Sequence, residues 1–126
     1  KQIVSTADPT SVGDLSYIDG CSNTVVIPPP RNGDPCVNYL HFPPRINQTV
    51  HTHPSIRIGY VLAGSGLART SNGDIPLKAG DIFVLPRHTK HCFVTSGETM
   101  SLMVFHPDSE GGPTDEHNPM KLRTLL

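Results

Sequence analysis

Thirteen prolines and eleven glycines are spread through 126 residues, and they cut the chain into segments too short for most helices. A helix needs an apolar period of 3.6 residues held over about ten or twelve positions, and no segment holds one. The stretches between the breakers are instead rich in β-branched and aromatic residues: NTVVI from Asn23, CVNYLHF from Cys36, INQTVHTH from Ile46, IRIGYVL from Ile56, GLART from Gly66, DIPL from Asp74, DIFVL from Asp81, HCFVT from His91 and MSLMVFH from Met100. Short strands divided by turn residues predict an all-β sandwich or barrel. The length suits one domain. Asn72-Gly73, between GLART and DIPL, predicts a type I′ hairpin in which both residues take positive φ. The expected organisation is a strand-and-loop extension over residues 1–30, a β-barrel over 31–106, and a tail over 107–126 that packs on the barrel.

Charge removes whole classes of partner. Ten basic residues stand against eleven acidic ones with neither sign clustered, so the basic stripe that binds nucleic acid or an anionic membrane is missing. No run approaches the roughly 20 apolar residues of a membrane span. The start KQIVSTADP lacks the apolar core of a signal peptide, which predicts a soluble, cytoplasmic chain. Cys21, Cys36 and Cys92 are odd in number and lack the paired spacing of a zinc knuckle, so they are expected as small buried hydrophobes.

The histidines carry the chemical signal. On a strand, residues i and i+2 share a face about 6.6 Å apart, so His51 and His53 would project side by side. Two imidazoles on one face suit a metal ion, and His91, just past the turn PRHTK, is the third candidate ligand. His41, His88, His106 and His117 taken singly read as ordinary core or surface residues.

The spacing around these histidines resembles the cupin superfamily, whose first motif is G-x5-H-x-H-x3,4-E-x6-G and second is G-x5-P-x-G-x2-H-x3-N. Here the two blocks are RINQTVHTHPSIRIGYVLAG, from Arg45 to Gly64, and GDIFVLPRHTKHCFVT, from Gly80 to Thr95. His51, His53, Gly64, Gly80, Pro86 and His91 match. Four positions depart: Arg45 and His88 stand at glycines, Arg57 at the glutamate and Thr95 at the asparagine. The resemblance implies a double-stranded β-helix, the cupin or jelly-roll barrel, with His51, His53 and His91 as metal ligands. It also allows a homodimer paired through the sheets.

The missing glutamate shapes the expected chemistry. Three neutral imidazoles leave a divalent ion its full charge, and Arg57 adds another, so the pocket should take a carboxylate-bearing small molecule. A structural alternative pairs Arg57 with Asp81, Asp108 or Glu116. Gly59 leaves room for substrate, and His41, His88 and His106 are further candidate contacts. Zn²⁺ suits Lewis-acid chemistry and Fe²⁺ suits a dioxygenase; the ligand types do not separate them.

HTHPSIRIGYVLAGSG, with the tail FHPDSEGGPTDEHNPMKLRT, further resembles the zinc cupin domains fused to a methionyl-tRNA-synthetase-like domain in bacterial hydrazine synthetases. That resemblance implies rearrangement of an O-aminoacyl ester of an N-hydroxylated amine into an N–N linked hydrazine, with a synthetase-like domain as partner. Arg57, Tyr60 and Glu116 are then the candidate catalytic residues, with His41, His88, His106 and Asp115 as other candidate bases. A three-His Fe²⁺ dioxygenase and a non-enzymatic small-molecule-binding cupin are the alternatives.

Overall fold

The segments between the breakers become strands. In the computed structural model, which describes residues 11–31 and 33–108, these are β1 (Leu15–Ser16), β2 (Ser22–Ile27), β3 (Cys36–Phe42), β4 (Arg57–Thr70), β5 (Gly73–Lys78), β6 (Ile82–Leu85), β7 (His91–Val94) and β8 (Met100–His106). Every pairing among them is antiparallel. The strand β4 belongs to two sheets. Its first half pairs with β8 and β6, in a sheet that continues through β3, β2 and β1; its second half pairs with β5 and β7. The result is the all-β, double-stranded barrel that the sequence predicts. Among the described residues no helix is long and apolar enough to cross a membrane.

The change of sheet falls beside Gly64. Its φ is 75°, and a Cβ there would lie 1.8 Å from the Thr99 carbonyl oxygen, so only glycine fits this crossing point. Alternation along β4 sends Arg57, Gly59 and Val61 inward, and Ile58 and Tyr60 outward. The core between the sheets holds Ile18, Phe42, Val61, Met100 and Leu102, all at 0 % exposure. Each such side chain contributes about 1.5–3 kcal/mol by leaving water.

Three local expectations change. IRIGYVL and GLART are one continuous strand, with a register shift between Val61 and Ala63 where a break was expected. INQTVHTH is not a strand; only Asn47 and His51 make isolated bridges, to Val94 and His91. Side chains replace its ladder: the Phe93 N–H goes to Gln48 Oε1 at 3.1 Å and the Thr49 N–H to Asp19 Oδ2 at 2.7 Å. In the β4–β5 hairpin Thr70 pairs with Gly73, so the loop is Ser71-Asn72. Only Gly73 there has positive φ, 118°, which excludes the type I′ turn on Asn72-Gly73. The described part of residues 1–30 supplies β1 and β2 to the larger sheet and Ile18 to the core. The three cysteines are buried free thiols.

Candidate metal centre

His91 opens β7, and His51 is held opposite by a reciprocal pair of backbone bonds, His51 N to His91 O at 2.9 Å and His91 N to His51 O at 3.0 Å. His53 follows in an irregular bend whose carbonyl takes the His88 N–H at 2.8 Å. The strand geometry expected for HTH is therefore absent, yet the three rings converge. Their centroids lie 5.0, 4.5 and 5.0 Å apart. One nitrogen of each lies within 4.8 Å of the others, and all three residues are buried.

The protonation pattern suits a cation. His51 Nδ1 is 2.7 Å from the Thr49 carbonyl and His91 Nδ1 is 2.9 Å from the Thr89 carbonyl. A carbonyl only accepts, so both rings carry the proton on Nδ1 and leave Nε2 as a donor atom for a metal. His91 Nε2 and His53 Nδ1 are buried without a hydrogen-bond partner. Such orphaned atoms cost about 1–3 kcal/mol each unless a ligand or ion engages them. Burial, reinforced by neighbouring positive charge, holds His53 far below the ordinary imidazole range and His91 at about 4. Both are neutral at pH 7, which is the metal-binding form.

A pH dependence follows for the metal-free protein. Unfolded histidine titrates near pH 6.5, whereas the folded value is depressed to about 4 for His91 and about 3 for His106. The unfolded chain then binds more protons below about pH 6.5, so this stability is complete above that pH and is lost as pH falls toward 4. Thermal melts in chelator should show the midpoint declining through this window. A flat midpoint from pH 7 to 4.5 would contradict the burial of these rings.

The remaining wall of the cavity comes from the strand ends of the larger sheet. Cys36 pairs with His106, and Ile58 with Phe105, which sets His106 beside Arg57 in one inward row at the barrel rim. Arg57 is 3 % exposed. Its Nη1 donates to Ser55 Oγ at 2.6 Å and Ser55 O at 3.1 Å, with Ile56 O at 3.3 Å. Asp81, one of the carboxylates expected as a structural partner, pairs with Lys78 Nζ at 3.1 Å; Asp108 attracts Arg57 electrostatically. Among the described residues no carboxylate lines the cavity. Burial, then Arg57, pushes His106 down to about 3, so it is a neutral imidazole at pH 7. The space left among these side chains is ≈ 20 Å³, room for an ion or a water.

The structure redistributes the other candidates. Tyr60 is 44 % exposed on the outer face, because it alternates with the inward Gly59 and Val61. His41 alternates with the cavity-lining Leu40 and turns to the other side of β3, where its Nδ1 lies 3.2 Å from Ser101 Oγ. His88 is exposed in the turn after Pro86 with φ 63°. Gly59 does not leave room for substrate: the Phe83 ring comes within 2.1 Å of where its Cβ would stand. Glu116, Asp115 and His117 lie outside the described residues. In the other direction, Tyr17, Asn38 and Gln48 line the cavity without having been singled out from sequence. Tyr17 arrives through the fold of β1 and β2, and no spacing relative to His51 could have marked it.

The motif departures are also explained. Arg45 and His88, standing at glycine positions, keep left-handed backbones with φ of 62° and 63°. Thr95, at the asparagine position, accepts the Ile46 N–H at 2.9 Å and donates to the Pro43 carbonyl, tying down the segment that leads into His51.

Residues 38–112 match the family described as "Cupin domain". No curated relative matches the chain at a significant level. Among solved structures, a cupin-like protein from Thermotoga maritima is similar with a TM-score of 0.69 and 17% identity, covering 82% of each chain. The polyketide cyclase RemF from Streptomyces resistomycificus gives 0.64 and 22% identity over 81% of this chain and 72% of that one. KdgF from Halomonas sp. gives 0.60 and 25% identity, with 75% and 86% covered.

Proposed function

The chain belongs to the cupin domain family, and from that premise we propose that it is a metal-dependent enzyme acting on a small molecule that carries a carboxylate. One observation carries the reading: three buried imidazoles with nitrogens within 4.8 Å share a cavity with Arg57, and no carboxylate lines that cavity among the described residues. A divalent ion held by His51, His53 and His91 would supply positive charge and open positions for an oxygen ligand. Zinc is the proposed ion, with ferrous iron the alternative.

The protein's own groups have separate tasks. Arg57 is tethered through Nη1, so it offers the rest of its guanidinium to an anion in a fixed orientation. His106, neutral beside it, can accept a hydrogen bond. Tyr17 is held in the protonated form by burial, so its phenol can donate a hydrogen bond. With so little free space, the substrate carboxylate reaches inward while the bulk of the molecule lies at the rim.

The specific reaction we propose is N–N bond formation from an O-aminoacyl ester of an N-hydroxylated amine. The amine lone pair attacks the hydroxylamine nitrogen and the N–N bond forms as the N–O bond breaks. The electron pair leaves on the carboxylate oxygen, and the amine proton passes to water at the rim. No outside oxidant is needed. The support is the resemblance of HTHPSIRIGYVLAGSG to zinc cupin domains of hydrazine synthetases and the pocket's excess positive charge; a synthetase-like domain would make the ester. RemF, named a polyketide cyclase, is consistent with the broader enzyme class.

Protein purified without added metal should contain about one zinc per chain, and zinc-loaded protein should turn a synthetic hydroxylamine ester into an N–N linked product detectable by mass spectrometry. Zinc without product would remove the N–N reading and leave a metal-dependent cupin. Oxygen-consuming iron would favour the dioxygenase, and absence of metal binding a non-enzymatic cupin.

A further inference from the structure

We propose that the turn from Tyr17 to Cys21 is a working part of the metal centre, with Asp19 as the residue that positions His51. The inference rests on reading His51, His53 and His91 as metal ligands. The turn precedes the span 38–112 matched by the family, so that likeness does not account for it.

Two short bonds meet at Thr49. Its N–H donates to Asp19 Oδ2 at 2.7 Å, and its carbonyl accepts the His51 Nδ1–H at 2.7 Å. Thr49 is thus gripped by a carboxylate on one side and by a ligand imidazole on the other. The first bond is charge-assisted, the stronger class. The segment has no continuous ladder: backbone and side-chain bonds hold it at Ile46, Gln48 and His51, and Asp19 holds the Thr49 amide between them. Asp19 supplies the hold that a strand neighbour would otherwise give.

Asp19 is itself over-determined. Its φ of 53° lies in the left-handed region, which Asp, Asn and Gly tolerate best. The flanking Ile18 is at 0 % exposure in the core, and Tyr17 lies in the cavity wall. Backbone bonds from Tyr17 N to Cys21 O, 2.9 Å, and from Cys21 N to Ile18 O, 3.1 Å, close the turn. An uncommon backbone state held from several sides is typical of residues whose position matters to a site.

The rival explanation is that Asp19 merely pins the N-terminal segment to the barrel. Asp19→Gly keeps the left-handed backbone and removes the acceptor, whereas Asp19→Asn keeps an acceptor and removes the charge. Cobalt(II) alone, titrated into the metal-free full chain, reports affinity and ligand geometry through its visible absorption. Asp19→Gly should lose about tenfold in affinity, the lower end of what groups behind a ligand contribute, and should shift the absorption band. Asp19→Asn should recover most of the affinity.

A purely structural pin would lower the melting temperature of Asp19→Gly and leave affinity and band at wild-type values; that result overturns the proposal, as does Asp19→Asn falling as far as Asp19→Gly. If Asp19→Gly does not fold, the wild-type chain decides. Adding zinc should slow hydrogen exchange at the Thr49 amide, because a contact that strengthens metal binding is strengthened by it in return, and unchanged exchange overturns the proposal. A wild-type chain that binds neither cobalt nor zinc overturns this inference and the proposed function together. Metal uptake indifferent to Asp19→Gly overturns this inference alone.

Discussion

Alanine at His51, His53 or His91 should lower zinc affinity by more than about 100-fold, beyond what altering a group behind the ligands costs. The three nitrogens lie within 4.8 Å of one another, so removing one leaves two donors and a gap that no carboxylate lining the described cavity can fill. Stability separates the metal effect from the packing effect. In the metal-free chain, His91→Ala opens a void, a loss of about 2–5 kcal/mol for a large-to-small change in a core. It also deletes the orphaned Nε2, which returns about 1–3 kcal/mol. The net loss without metal should therefore be modest. With zinc at 1,000 times its dissociation constant, the wild type gains about 4 kcal/mol that the variant cannot. Calorimetry with and without zinc should show a large melting shift for wild type and almost none for His91→Ala. His41→Ala is the control: a buried histidine facing Ser101, away from the cavity, should cost stability while leaving zinc uptake intact. Wild-type zinc occupancy in all three ligand variants would show that the site lies elsewhere.

How much of this was legible in the sequence depends on the range of the interaction that decides each feature. CVNYLHF and MSLMVFH coincide with β3 and β8 because each is bounded by breakers and pairs along its full length. INQTVHTH has the same composition but a different fate, since Gln48 and Asp19 side chains take bonds that a ladder would have used. The convergence of His51, His53 and His91 was still readable, because their spacing records the outcome of the fold and does not require the segment to be a strand. Arg57 pointing inward was readable from alternation; that alternation also places Tyr60 on the outer face, away from the cavity. Gly59 failed for another reason: its empty face is filled by Phe83, which comes from β6, and single-strand reading cannot see a neighbour. Tyr17 and Asp19 were out of reach, because only the pairing of β2 with β3 carries their turn to the histidines.

Arg57 is where the charge argument can fail most clearly. Its Nη1 is taken up by Ser55 and Ile56, so one edge of the guanidinium is anchored. Arg57→Lys keeps the charge and loses the planar two-pronged donor. Hydrogen bonds to charged groups are worth about 1.5–3 kcal/mol, so binding of a simple dicarboxylate such as oxalate should weaken about tenfold or more. This can be read from the visible spectrum of the cobalt-loaded protein, with metal content unchanged. Arg57→Glu restores the residue that the superfamily motif carries. It replaces a positive charge by a negative one at a cavity wall that holds no other carboxylate among the described residues. A fourth ligand would then become available, so cobalt should bind more tightly while oxalate no longer perturbs its spectrum. The two changes run in opposite directions, which general destabilisation cannot imitate, since misfolding would weaken metal and anion binding together. If Arg57→Glu leaves oxalate binding at the wild-type level, Arg57 is not the anion's partner. The positive cavity would then attract its substrate through the ion alone, and the case for a carboxylate substrate would lose its protein half.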